Sequence, residues 1–139
     1  LDPFCGSGTS LIAASNISRF GVGIDLSSEY KDLALERLSK KKLLENTDFQ
    51  YFLGDSETIL DSIENIDYIV RSPPYHNILQ NKGAGIRKEN TKGYRDGSRT
   101  GIEYYSDSLN DLGNKETYED FLNSFKGIML KSFALLFRI

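Results

Sequence analysis

The sequence predicts an α/β domain built on a parallel sheet. Three short apolar runs are separated by stretches of helical period, the signature of βα units. A glycine-rich turn stands directly before one of those helical patterns, as in ligand-binding sheets of this class. The length, 139 residues, suits one compact domain rather than two.

The elements follow in order. A short helix is expected over residues 9–15, directly after the glycines. Phe20-Gly21-Val22-Gly23-Ile24-Asp25 reads as a buried strand, Phe49-Gln50-Tyr51-Phe52-Leu53 as a second and Ile66-Asp67-Tyr68-Ile69-Val70 as a third. A helix is expected over residues 27–45. It has Tyr30, Leu33, Ala34 and Leu38 on one face, Ser27 or Ser28 as its cap, and Lys40, Lys41 and Lys42 near its C-terminal end, where the dipole favours cations. A shorter helix is expected over residues 57–63. Residues 76–115 are rich in Gly, Asn, Asp, Lys, Arg and Tyr without a sustained apolar period, and are expected to form an inserted loop or lid. From Thr117 the helical period returns, with Tyr118, Phe121, Leu122, Phe125, Met129, Phe133 and Leu136 as its core-facing stripe.

Composition excludes several classes. Hydrophobic residues make up 39% and charged residues 27%, ordinary values for a soluble globular chain. No apolar run approaches the roughly 20 residues that span a bilayer. Leu1-Asp2-Pro3-Phe4 places an acid where a signal peptide has its basic region. A single cysteine, Cys5, permits neither an internal disulfide nor a cysteine-based zinc site. A reduced, cytoplasmic protein is expected, with no membrane contact and no metal. The net charge of −3 does not recommend a nucleic-acid binder, although local patches count for more than the total. The chain begins without Met, inside a motif, and so reads as a fragment.

The first motif is Asp2-Pro3-Phe4-Cys5-Gly6-Ser7-Gly8-Thr9. Gly6 and Gly8 can adopt positive φ and let backbone approach a ligand. The N–H groups of the helix that follows suit an anionic group. Asp25, ending the next strand, can accept both hydroxyls of a ribose. A P-loop is excluded because Thr9 and Ser10 stand where Lys-Ser/Thr is required. A dinucleotide fingerprint is excluded because Leu11 replaces its third glycine. Asp2 and Asp55 could each be no more than a turn or helix-cap residue. Cys5 is a small packing residue of the loop, with no general base near it in sequence.

The second motif is Arg71-Ser72-Pro73-Pro74-Tyr75, at the end of the third expected strand. Two prolines remove two backbone donors and stiffen the chain, leaving carbonyls as fixed acceptors. Tyr75 offers a flat face on which a base can stack. The bland alternative is a Pro-Pro turn with a core tyrosine. From His76 to Arg99 six cations (Lys82, Arg87, Lys88, Lys92, Arg95, Arg99) face two acids, a balance that suits a phosphate backbone as well as a solvated loop. His76, the single histidine, is by default a loop residue.

Taken together, the first motif resembles the S-adenosylmethionine (SAM) binding motif of the DNA amino-methyltransferases, the cytosine-N4 and adenine-N6 modification methylases. Leu11-Ile12-Ala13-Ala14, Gly23-Ile24-Asp25, Glu29-Tyr30 and Glu36-Arg37-Leu38 extend the likeness. Ser72-Pro73-Pro74-Tyr75 resembles the family's catalytic tetrapeptide, and Gly93-Tyr94-Arg95 through Asp111-Leu112-Gly113 a subgroup that places the SAM motif before the catalytic one. The resemblance implies a Rossmann-like methyltransferase fold, incomplete at both ends. Residues 1–75 would be the SAM-binding and catalytic core, 76–115 an inserted, DNA-contacting loop and 116–139 a helix. It implies SAM as cofactor, bound by Asp2, Pro3, Phe4, Cys5, Gly6, Gly8 and Thr9, with Asp2, Phe4, Gly6 and Gly8 at its methionine end, Asp25 at the ribose and Asp55 at the adenine. It implies Ser72, Pro73, Pro74 and Tyr75 as the catalytic set, DNA with a flipped-out base as substrate, and a restriction endonuclease as counterpart.

Ser before Pro-Pro-Tyr is commoner among cytosine-N4 enzymes; Asp or Asn is commoner among adenine-N6 and glutamine-amide enzymes. Methylation of RNA guanine-N2 or of a protein glutamine, and a non-catalytic SAM- or DNA-binding remnant, remain as alternatives. Arg71 departs from the family, which usually carries a small or polar residue there.

Overall fold

The computed structural model describes residues 1–76, 106 and 108–136. The expected loop of residues 76–115 therefore lies mostly outside the described residues, as do the six cations of its basic stretch.

The chain builds a small parallel sheet flanked by helices. Helix α1 (Thr9–Asn16) is followed by strand β1 (Gly21–Asp25), helix α2 (Ser28–Lys40), strand β2 (Phe49–Leu53) and the short helix α3 (Ser56–Ile59). A 3-10 turn (Leu60–Ser62) extends α3, a second (Leu112–Asn114) precedes the long helix α4 (Tyr118–Leu135), and β1 and β2 pair in parallel, Gly21 opposite Phe49 through Asp25 opposite Leu53. On the other side of β1, Asp2 forms a parallel bridge to Gly23, with Asp2 N donating to the Val22 carbonyl and Ile24 N to the Asp2 carbonyl. These bonds place the glycine loop, residues 3–8, at the carboxyl end of the sheet.

Period-2 alternation sorts the strand side chains between two cores. Ile24 joins Leu60, Ile63, Leu112, Phe121, Ile128, Met129 and Leu135 on the α3–α4 face, with Val22 and Phe52 packed against them. Phe49 and Tyr51 join Cys5, Leu11, Ala34 and Leu38 on the α1–α2 face. β1 uses glycine on this second face because there is no room for more. A Cβ on Gly23 would lie 2.4 Å from Cys5 Sγ, and one on Gly21 2.8 Å from Leu11 Cδ2.

Four expectations are corrected. Residues 66–70 do not form a strand. Among the described residues their ladder bonds are to Leu1, whose N–H donates to the Tyr68 carbonyl and whose carbonyl accepts from Val70 N. Helix α2 ends at Lys40, not at residue 45. Lys42 takes the left-handed conformation (φ 60) and Leu43 N returns to the Leu38 carbonyl, a Schellman-type stop without the usual glycine. On the same helix Leu33 is exposed, and the buried face is Ala34 and Leu38. On α4 the buried face is Phe121, Ile128, Met129, Ser132 and Leu135. Tyr118, Leu122 and Phe133 turn outward because the helix packs on one side only, against α3 and the two 3-10 turns.

Candidate active site

The glycine loop is shaped by its two positive-φ residues and by bonds from three neighbouring elements. Gly6 has φ 50 and Gly8 φ 75, and Gly8 is the N-cap of α1. A Cβ on Gly8 would also meet Ala34 Cβ at 3.0 Å, so both conformation and space require glycine there. Phe4 N donates to Asp2 Oδ1 at 3.0 Å, closing the turn that starts the loop. Gly6 N donates to Asp25 Oδ2 at 2.7 Å, the Gly6 carbonyl accepts from the Tyr51 hydroxyl at 2.7 Å, and the Ser7 carbonyl accepts from Arg37. The buried Ser56 hydroxyl donates to the Pro3 carbonyl, tying the loop to α3.

A cavity of about 330 Å³ opens at this end of the sheet, within the usual range for small-molecule sites. One wall is Pro3, Phe4 and Gly6 with Asp25, Asp55 and Ser56. Ser72, Pro73, Pro74 and Tyr75 line the same cavity. Nine of the thirteen residues singled out in the sequence thus meet around one space, although up to 72 positions separate them. Asp2, Cys5, Gly8 and Thr9 are not on the wall. Asp2 and Cys5 lie buried beneath the loop, Gly8 supports α1, and the Thr9 hydroxyl accepts from Arg37 on the exposed side.

The electrostatics follow from burial. Desolvation pushes the Asp25 carboxyl above the usual carboxylate range, against the opposing pull of N–H donors from Ser27 and Gly6. Burial likewise raises Asp2, offset by bonds from the Ser10 hydroxyl and Phe4 N–H. The Cys5 thiol is pushed up to about 12 by burial, so it holds no thiolate near neutrality and is a packing residue of the loop. Asp55 caps α3 through Glu57 N at 2.9 Å and faces the cavity as well, so its cap role and a ligand role coexist.

Further wall residues escaped the sequence reading as site residues. Leu26 and Tyr30 follow Asp25 at the start of α2, and Ser106, Asn110, Asp111, Leu112 and Ile128 close the far side. Asp111, buried, accepts from Gly113 N at 2.8 Å and from the Ser106 hydroxyl at 2.8 Å. Tyr30 carried a usable signal, a tyrosine one turn after the strand-end acid. Ile128 did not, because it sits one position off the apparent stripe.

His76 Nε2 donates to the Lys115 carbonyl at 2.8 Å, and its ring lies 5.9 Å from those of Tyr118 and Phe121. It is a docking residue of the turn. Arg71 is directed to α4, its guanidinium 5.4 Å from the Phe125 ring centroid and 5.6 Å from that of Phe133. Among the described residues no group of His, Cys, Asp or Glu is arranged to hold a metal ion, and no helix is long and apolar enough to cross a membrane.

An α/β chain with a small parallel sheet and a glycine loop at its carboxyl end defines the class. Comparison with known proteins then narrows it. Residues 1–36 match the model of a family described as DNA methylase. The Type II methyltransferase M.HpaI of Haemophilus parainfluenzae is 46% identical over 41 residues, 30% of this chain and 13% of that protein. The Type II methyltransferase M.SmaI of Serratia marcescens is 45% identical over 42 residues, 30% of this chain and 14% of that protein. These matches make a short part of the chain similar to DNA methylases, residues 1–36 for the family model and 41 and 42 residues for the two relatives.

Proposed function

We propose that this chain carries the SAM-binding and catalytic core of an amino-methyltransferase that acts on a DNA base, on a Rossmann-like fold. The observation that carries the reading is a cavity lined both by the glycine loop, Asp25 and Asp55 and by Ser72 to Tyr75. The residues present fit the cofactor. Asp25 has lone pairs beyond the two its backbone donors occupy, suited to ribose hydroxyls. Phe4 and Leu26 offer apolar wall, Asp55 a carboxylate for an exocyclic amino group, and Gly6 a close approach of backbone, open where a side chain would be. When bound, SAM would supply an activated methyl group.

What the chain's own residues do is position. An exocyclic base amino group is a poor nucleophile because its lone pair is delocalised into the ring. The Ser72 side chain and the Pro73 carbonyl can accept its protons and localise that lone pair, without a strong base. Tyr75, a residue 59% exposed, can stack on the base and fix its plane. A base within a duplex cannot reach such a pocket, so flipping is part of the reading. Ser at position 72 favours cytosine-N4 as target, with adenine-N6 the nearest alternative. The relatives' type makes a restriction endonuclease a fitting counterpart.

The test is methyl transfer from tritiated SAM to DNA by the complete protein. Tyr75→Ala is expected to weaken base engagement by about 1–3 kcal/mol, roughly a factor of 5 to 150, with SAM affinity retained. Tyr75→Phe keeps the ring and should keep most of the activity. Full activity in Tyr75→Ala would reduce the tetrapeptide to a structural turn. Transfer to RNA or protein but not DNA would reassign the substrate.

A further inference from the structure

Three backbone groups of two adjacent loop residues, Gly6 and Ser7, are held by side chains from three different elements. The Gly6 N–H is fixed by Asp25 at the end of β1, the Gly6 carbonyl by Tyr51 in the middle of β2, and the Ser7 carbonyl by Arg37 in the last turn of α2. Asp25 is on the cavity wall; Tyr51 and Arg37 are not. Their bonds reach the loop from behind, while the side of Gly6 where a Cβ would stand has nothing within 4 Å. Tyr51 is only 2% exposed and its ring belongs to the α1–α2 core, so its hydroxyl has one direction available to it. Burial raises the phenol far above its ordinary range, which keeps it a donor at every working pH. Arg37 grips two neighbours at once, the Ser7 peptide and hydroxyl and the Thr9 hydroxyl.

A loop with two glycines loses more conformational freedom on ordering than other chains do. If that ordering is completed before a ligand arrives, the binding free energy is not diminished by it. We infer that Tyr51 and Arg37 are positioning residues, a rear brace that holds the glycine loop in its ligand-ready shape. The inference rests on the proposed SAM reading, because it concerns the affinity of that same loop.

The test uses the complete protein as wild type, Tyr51→Phe and Arg37→Gln. SAM affinity is measured by calorimetry, KM and kcat by methyl transfer, and loop order by amide exchange at Gly6 and Ser7. Each variant is expected to raise the dissociation constant and KM for SAM roughly threefold to tenfold, the effect of one hydrogen bond. Amide exchange in the loop should accelerate in the absence of SAM, and kcat at saturating SAM should stay within about twofold. Arg37→Lys, which keeps one charged donor, should recover part of the loss. A merely structural role would lower kcat through the active fraction and leave KM unchanged, and that result would overturn the brace. Unchanged affinity and unchanged exchange in both variants would overturn it too. If Tyr51→Phe fails to fold, Arg37→Gln decides. A wild type that binds no SAM overturns the cofactor reading and the brace together, whereas a wild type that binds beside variants that bind equally well overturns the brace alone.

Discussion

Asp25 offers the sharpest link between the fold and the proposed chemistry. Its Oδ2 accepts from Gly6 N at 2.7 Å and its Oδ1 from Ser27 N at 3.0 Å, so it joins the glycine loop to the start of α2. Asp25→Ala strands both N–H groups. Hydrogen bonds to a charged acceptor contribute about 1.5–3 kcal/mol each, and the site is only partly buried, so water recovers much of the loss. A fall of about 1.5–3 kcal/mol in the stability of the free protein is therefore expected. If the carboxylate also takes two ribose hydroxyls, SAM binding falls by a further 1.5–3 kcal/mol or so, roughly 10- to 150-fold.

The pH dependence separates these two roles. Burial raises the Asp25 carboxyl above its unfolded value, so the folded protein holds that proton more tightly than the unfolded chain does. The stability linked to this proton is then complete below about pH 3.9 and is lost as pH rises through the raised value, whereas the two N–H bonds to the carboxylate persist above it. Ligand hydroxyls favour the ionised form and oppose that shift. SAM affinity should therefore rise with pH through the raised Asp25 range and level off above it, with protons released on binding. Calorimetry in paired buffers of different ionisation enthalpy reads the release, and denaturant unfolding reads the stability. If Asp25→Ala binds SAM as the wild type does, or if wild-type affinity is flat across the acid range, the ribose assignment fails.

Two further outcomes follow from the same geometry. Gly23→Ala should cost about 1–3 kcal/mol, because its Cβ would enter the space of Cys5 Sγ; Cys5→Ala should relieve part of that cost, and a double-mutant cycle with no coupling would contradict the contact. Gly127→Ala should instead stabilise by about 0.5–1 kcal/mol in a melt, since the Glu57 carboxylate 2.8 Å from the new Cβ is on an exposed, flexible side chain and can swing away from a better helix former; a loss of 1 kcal/mol or more would mean that Glu57 is fixed there.

What could be read from the sequence divides by the range of the forces involved. Gly6, Gly8, Ser27 and Asp55 were legible because their roles are local: positive φ, or a side chain bonding the backbone two or three residues on. The meeting of Asp25 and Ser72 to Tyr75 was legible through the rule that parallel strands deliver their ligands at one end. The end of α2 was not, because Lys42 adopts the left-handed conformation that glycine usually announces. Nor was the wall from Ser106 to Leu112, which rests on Asp111 accepting from a hydroxyl five residues before it in a stretch without period. The stripe on α4 misled for a third reason. Aromatic residues at helical spacing signal a packed face, yet Phe133 and Tyr118 pack on other side chains at the surface rather than in the core.

Those aromatics bear on how the two halves of the site keep their alignment. The Phe4 ring, in the glycine loop, stacks 6.4 Å from Phe125; Phe125 stacks 6.0 Å from Phe121, and Phe121 5.8 Å from Tyr118. His76, directly after the Pro-Pro-Tyr turn, meets both Tyr118 and Phe121, and Arg71, directly before it, lies over Phe125 and Phe133. One face of α4 therefore touches the loop and both ends of the turn, two segments that line the same cavity. Aromatic pairs contribute about 0.5–1.5 kcal/mol each beyond their buried area, and exposed cation–π pairs about 0.5–1 kcal/mol. These contacts hold a turn whose ladder bonds, among the described residues, are to Leu1. Arg71, where the family usually carries a small or polar residue, is accounted for by the same geometry. Its charge is drawn to the rings of α4, off the cavity wall, and the turn it anchors is thereby aimed at the glycine loop.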